Sequence, residues 1–151
     1  MTIRKPLLLC IVAFAAVISV NGHAQDSRTY IDGRSEADRD LPPYSGAVLA
    51  GDTLYLSGVL GLDENREVPD DPAEEARNAL NAIKRHVEAA GMTMDDIVSM
   101  QIFCSDVSLY QTFNDVYRTY FTQQYPARAF LGSGTLLFNA RFEVQGIAVR
   151  R

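Results

Sequence analysis

Residues 71–91 read DPAEEARNALNAIKRHVEAAG, and the fold is decided by how this stretch is read. Asp71 is a good capping residue, Pro72 suits the first helical position, and Glu74 completes a capping-box-like pattern. Ala76, Leu80, Ile83, Val87 and Ala90 recur at spacings of four and three, which makes one apolar stripe on an amphipathic helix. Gly91 stops it. Lys84 and Arg85 lie off the stripe on a solvated face. His86 neighbours the stripe and reads as a surface residue rather than a ligand or base.

Working outward, the segment before the helix is AVLAGDTLYLSG, residues 47–58, two apolar runs around Gly51–Asp52. That is a hairpin signal, with Leu54 and Leu56 on one face and Thr53, Tyr55 and Ser57 on the other. After the helix, IVSMQIFCS (97–105) alternates as a strand, with Val98, Met100, Ile102 and Cys104 expected on one face. A second helix starts near Ser108, with Leu109, Phe113, Val116 and Tyr120 on its stripe; its aromatic residues read as core filling. Strands around Ala129–Gly132 and Ala140–Val149 follow. The order ββαβαββ predicts an α+β domain: one sheet with both helices on one face. On the last strand Phe142, Val144, Gly146 and Ala148 are expected to meet the helices. Arg141, Glu143, Gln145 and Ile147 then share the other face with Tyr55. A face of that mixed character suits either a partner subunit or water.

The N-terminus reads differently. Arg4 and Lys5 precede a run of about 15 apolar residues, short of the roughly 20 that a membrane span needs. Small residues at Gly22 and Ala24 complete the pattern of a signal peptide over residues 1–24, so the expected location is periplasmic or secreted. Residues 25–40 are polar and charged and are expected to be a flexible leader, leaving residues 41–151 as one domain. The net charge of −5 is wrong for a nucleic-acid partner, and becomes more negative once Arg4 and Lys5 are removed. Cys104 is the one cysteine past the signal segment, so no internal disulfide is expected there, and it reads as a small core residue. His86 is the one histidine there, and no Cys/His cluster suggests a metal. With the signal removed, no membrane association is expected.

Chemistry is suggested near the C-terminal end, in YPARAF (125–130). Arg128 is a cation followed by Ala129, Phe130 and Leu131. From composition alone it reads as an arginine paired with a surface carboxylate. A planar guanidinium in apolar surroundings is also well suited to a bidentate grip on a ligand carboxylate.

The ordered set LPPYSGAV, LYLSG, FNDVY, YPARAF and FEVQGIAV resembles the Rid family of reactive-intermediate (enamine/imine) deaminases, over about Leu41 to Val149. The resemblance implies a chorismate-mutase-like fold, a homotrimer, and ligand clefts between subunits. It implies that Arg128 clamps the carboxylate of a small 2-imino or enamine acid. It also makes Glu143, 15 positions on, the glutamate that orients and activates water for attack on C2. Loss of ammonia then leaves a 2-keto acid. A protonated imine is already electrophilic, so no cofactor is needed. Apart from the resemblance, Glu143 reads as half of an ion pair with Arg141.

The same resemblance places Tyr44 over the ligand, Ser57 and Gly58 against its polar groups, and Asn114 near the cleft. Bland readings stand beside two of these: leader packing for Tyr44, an exposed helix position for Asn114. Departures from the family pattern are Ala129 and Phe130 after the arginine, Val59 after Ser57–Gly58, and Gln145 in place of a second glutamate. Residues 132–140 also lack the usual proline. Phe130 is therefore expected to reshape the pocket and alter substrate preference. Two other classes fit the same pattern: a binding protein for small 2-keto acids, which needs Arg128 but not Glu143, and a structural trimer, which needs neither.

Overall fold

A computed structural model of the chain describes residues 27–32 and 42–151. The expected signal peptide lies outside the described residues, as does all of the leader but 27–32. Six strands form one sheet: β1 Arg28–Ile31, β2 Ala47–Ala50, β3 Thr53–Leu60, β4 Ile97–Cys104, β5 Ala127–Gly132 and β6 Phe142–Val149. The spatial order is β1-β2-β3-β6-β4-β5, with β4 and β5 parallel and every other pair antiparallel. Helices α1 (Pro72–Ala89) and α2 (Tyr110–Tyr117) pack on one face. The expected α+β architecture is present, with one strand more than expected. Strand β1 falls inside the segment read as a flexible leader. RTYI (28–31) sits among charges, yet β2 offers it an open edge, and Ile31 packs partly against the core.

Helix α1 forms for the reasons its sequence gives. The Asp71 carboxylate accepts the Ala73 N–H at 2.9 Å, and Pro72 occupies the first turn, where its missing N–H costs nothing. Ala76, Leu80, Ile83 and Val87 are fully buried. Past the helix, Gly91 takes φ +70; its N–H bonds Glu88 O while Met92 N–H bonds Val87 O. This is the Schellman arrangement, which needs a residue tolerant of left-handed backbone. The β2–β3 hairpin turns in the same way on Gly51, φ +61.

The core lies between sheet and helices: Leu54, Leu56, Met100, Ile102, Phe142 and Val144 meet Leu80, Ile83 and Phe113. Cys104 joins them, and burial pushes its thiol above the ordinary range. Val98 is a correction. It was expected inside but is 48 % exposed, because the β4–β6 register shifts between Ile97 and Ser99. Ile97 takes the core position at 4 % exposure.

A second irregularity is useful to the site. Between Leu56↔Gly146 and Val59↔Val144, Ser57 and Gly58 together oppose Gln145 alone. This bulge turns Ser57 and Gly58 toward the helix-free face.

Candidate active site

Register decides which way each candidate residue points. Arg128 pairs with Met100, and Phe130 with Ile102, in the parallel β4–β5 ladder. Met100 and Ile102 are buried under the helices, so Arg128 and Phe130 also rise on the helix side. There the guanidinium meets ring faces. Its carbon lies 4.6 Å from the centroid of Tyr117, 5.7 Å from Tyr110 and 6.0 Å from Phe130. The only side-chain hydrogen bond it makes among the described residues is a long one, Nη2 to Tyr110 Oη at 3.5 Å. Among the described residues no carboxylate lies within ion-pair distance of it. The surface ion pair that composition alone suggests is absent there.

Arg128 lines a groove of about 260 Å³ between β5 and α2, with Asn114, Tyr117, Tyr125 and Pro126 among its walls. Asn114 is not an exposed helix position: it is 5 % exposed and belongs to this groove. Phe130 is placed differently from the expectation. Its ring packs edge-on against Tyr110 (5.0 Å) and Phe113 (5.7 Å), so it supports the groove wall from behind and does not line it. Tyr117, read as core filling, is both core and site: 3 % exposed, yet under the guanidinium. Burial pushes its hydroxyl up to about 12, and that hydroxyl has no hydrogen-bond partner among the described residues.

Glu143 stands on the opposite side of the sheet. It pairs with Leu60 and Phe103, between Phe142 and Val144, which face the helices. Its carboxylate lies over Gly58, filling the space that a Cβ there would need. Beside it, Gln145 Nε2 donates to Gln101 Oε1 at 2.6 Å. The Ser57 hydroxyl donates to Ser45 O at 2.7 Å, and the Ser57 N–H to Gly46 O at 3.0 Å, fixing the segment that carries Tyr44. Tyr44 itself is 60 % exposed.

Arg141 does not pair with Glu143, and it does not stay on the helix-free face as its alternation suggested. Its guanidinium turns to Glu75 of α1 (2.8 Å) and to Pro69 O (2.9 Å). The Glu75 carboxylate, fully buried, also accepts the N–H of Arg141 (2.6 Å) and of Phe142 (3.0 Å). Buried charge beside the start of β6 is thereby paired and hydrogen-bonded. His86 is likewise not a surface residue. Its side chain is 13 % exposed, it packs under Gly46, and its Nε2 lies 3.0 Å from Asp32 Oδ2.

Within one chain, then, Arg128 and Asn114 share a groove, while Glu143, Ser57 and Gly58 share the other face. The sheet lies between the two sets. Strand order and register decide this, and neither is written in the local sequence. Tyr117 was missed for a related reason: a helical aromatic stripe looks the same whether or not a cation rests on it.

Fold and groove together define a class: a two-helix, single-sheet α+β domain with an arginine resting on ring faces in a groove between β5 and α2. A family profile described as Endoribonuclease L-PSP matches residues 36–150. A 2-iminobutanoate/2-iminopropanoate deaminase of Bos taurus is 38 % identical over 118 residues, covering 77 % of this chain and 86 % of the relative. Among solved structures, Escherichia coli TdcF with bound serine superposes with a TM-score of 0.72 at 30 % identity, covering 82 % of this chain and all of TdcF. The E. coli YjgF gene product gives a TM-score of 0.72 at 32 % identity, with the same coverage. The chain belongs to this family, the Rid or YjgF family.

Proposed function

We propose that the protein hydrolyses small 2-imino or enamine acids to 2-keto acids and ammonia. The observation that carries this reading is Arg128: a guanidinium with no carboxylate partner among the described residues, resting on ring faces in a groove. Apart from the long bond from Nη2 to Tyr110 Oη, its N–H groups have no side-chain acceptor among the described residues, and a carboxylate matches that fork. The deaminase names of relatives and the serine bound to TdcF, a molecule with the same carboxylate, support it.

In this reading Arg128 fixes the substrate carboxylate. A water held by Glu143 loses a proton to it and attacks C2 of the imine. The carbon–nitrogen double bond becomes a single bond, giving a carbinolamine. The substrate is the protonated imine, so once Glu143 returns the proton to nitrogen the carbon–nitrogen bond breaks and ammonia leaves, while the hydroxyl gives its proton to Glu143 and the oxygen–carbon double bond of the keto acid forms. In the same reading Asn114 and Ser57 contact the remaining polar groups.

Because Arg128 and Glu143 lie on opposite faces of the sheet, this chemistry needs Arg128 of one copy beside Glu143 of another. A homotrimer is the assembly we propose, with the helix-free face as its contact. Tyr30, Val48, Tyr55 and Ile147 run across that face in register, and both tyrosines are more than half exposed. We propose a periplasmic or secreted location, which places the substrate's source outside the cytoplasm.

The test generates imino acid in situ with an amino-acid oxidase and traps what remains with semicarbazide. Native protein is expected to speed imine loss, Arg128→Ala to abolish it, and Glu143→Ala to lower it by at least about a hundredfold, the range for a general base. A 2-keto acid binding protein without turnover is the second reading, favoured by the separation of Arg128 and Glu143 in one chain. It predicts keto-acid binding lost with Arg128→Ala, kept with Glu143→Ala, and no imine loss with any variant. Imine loss unchanged by Arg128→Ala refutes the mechanism.

A further inference from the structure

We infer that Tyr117 is a positioning residue for the carboxylate clamp: its ring face, not its hydroxyl, sets the orientation of Arg128. The inference rests on the carboxylate-binding reading of Arg128 and deepens it.

A ligand-binding arginine that is oriented by a carboxylate of the protein has its fork fixed, but part of that fork is occupied and its charge is offset. Here the holding groups are rings. Tyr117 lies nearest, at 4.6 Å from the guanidinium carbon, with Tyr110 at 5.7 Å and Phe130 at 6.0 Å. A ring attracts a cation through its quadrupole, across the ring face. Contacts through ring faces take no N–H group, so among the described residues only Nη2 is engaged, by its long bond to Tyr110 Oη, and a quadrupole does not neutralise the charge. The clamp is therefore oriented and still fully cationic when a ligand arrives.

The Tyr117 hydroxyl supplies the second observation. It is buried and finds no partner among the described residues. A buried hydroxyl without a hydrogen bond is costly, so the residue is not kept in this pose by what its oxygen does here. What remains is the ring, and the ring is itself wedged. Phe113 (6.0 Å), Phe121 (4.8 Å) and Tyr125 (6.2 Å) fix it on other sides. Phe113 and Phe121 belong to the buried core, so the tilt of Tyr117, and with it that of Arg128, is referred to the core of the domain.

The test uses the full chain and two readouts: Kd for 2-oxobutanoate by calorimetry, and KM with kcat for the matching imine. Tyr117→Leu keeps an apolar side chain but removes the face. KM and Kd are expected to rise about tenfold, as for a partly desolvated cation–ring contact, with kcat moving less than about threefold because bound substrate still meets the same water. Tyr117→Phe restores the face without the oxygen and should recover most of the lost affinity. Should Tyr117→Leu fold poorly, Tyr110→Leu removes the second ring, at a position 46 % exposed, together with the hydroxyl that bonds Arg128 Nη2, while Tyr110→Phe removes the hydroxyl alone; a smaller rise in Kd of about threefold is expected with leucine and not with phenylalanine. Loss with Phe equal to loss with Leu would mean that the hydroxyl touches the ligand, which overturns the inference. So would native affinity in both leucine variants. If native protein neither binds the keto acid nor consumes the imine, the carboxylate reading of Arg128 fails, and this inference with it.

Discussion

Replacing Glu75 by alanine should be among the most damaging single changes in the domain. The carboxylate is fully enclosed and accepts three donors: the Arg141 guanidinium at 2.8 Å and the Arg141 and Phe142 N–H groups at 2.6 and 3.0 Å. Alanine leaves two backbone donors unmet, each costing about 1–3 kcal/mol. It also leaves a half-buried guanidinium with only the Pro69 and Asp70 carbonyls for company. Breaking one side of a buried ion pair costs about 3–5 kcal/mol, which agrees with that sum. For a domain of this size the loss lowers Tm by roughly 12–20 °C. Glu75→Gln should lose about half as much, because Oε1 still accepts both backbone groups while the amide nitrogen faces the guanidinium. Urea unfolding followed by circular dichroism measures this, at one fixed protein concentration so that any subunit association does not enter the comparison. A loss below about 1 kcal/mol for Glu75→Ala refutes the reasoning, since it means that water satisfies those donors. The consequence reaches the site, because Phe142 starts the strand on which Glu143 is the next residue.

Three further outcomes follow from the same geometry. Ile97→Ala should cost about 2–4 kcal/mol and Val98→Ala under about 0.5 kcal/mol, the reverse of what alternation predicts; equal losses in urea midpoints argue against the bulge. Gly58→Ala should leave the urea midpoint nearly unchanged, since the colliding group is the end of a flexible side chain, yet lower imine turnover at least about tenfold by displacing the Glu143 carboxylate; native turnover contradicts it. In alkali, an unfolded chain gives up its tyrosine protons near pH 10, while folded Tyr117 keeps its own to about 12 and Tyr120 is also raised. The stabilisation is therefore whole below pH 10 and lost as pH climbs to 12. Tyr117→Phe should flatten that fall in urea midpoint between pH 10 and 12, and an unchanged slope speaks against a buried, proton-retaining hydroxyl.

The elements that the sequence made legible are those whose patterns are local. The stripe from Ala76 to Val87, the Gly51 turn and the Gly91 stop all rest on contacts within a few residues, and each lies where its pattern places it. What was illegible depends on partners distant in sequence. Strand β1 is only as good as the open edge of β2. Val98 is exposed because β4 slips by one residue against β6. His86 is enclosed because Gly46 and Asp32 come to it from elsewhere. For the site, residue types and the family likeness pointed to Arg128, Glu143, Ser57, Gly58 and Asn114. That Arg128 rises with the helices and Glu143 does not follows from the parallel pairing of β4 and β5, which no single segment encodes.

The place of β6 has a kinetic meaning. It follows every other strand in sequence, yet it is hydrogen-bonded on both sides, with Thr53 of β3 paired to Val149 and Ile97 of β4 to Ala148. Until it docks, β1-β2-β3 and β4-β5 are separate pieces, each with a raw inner edge, and the core between helices and sheet has no middle. Folding must close its longest loop to insert its central member, which raises contact order and slows the search. During that delay two unpaired strand edges remain open to strands of other chains. Crowded synthesis should therefore harm yield more than the finished domain's stability suggests, and a chain interrupted before Phe142 should aggregate rather than form a smaller sheet.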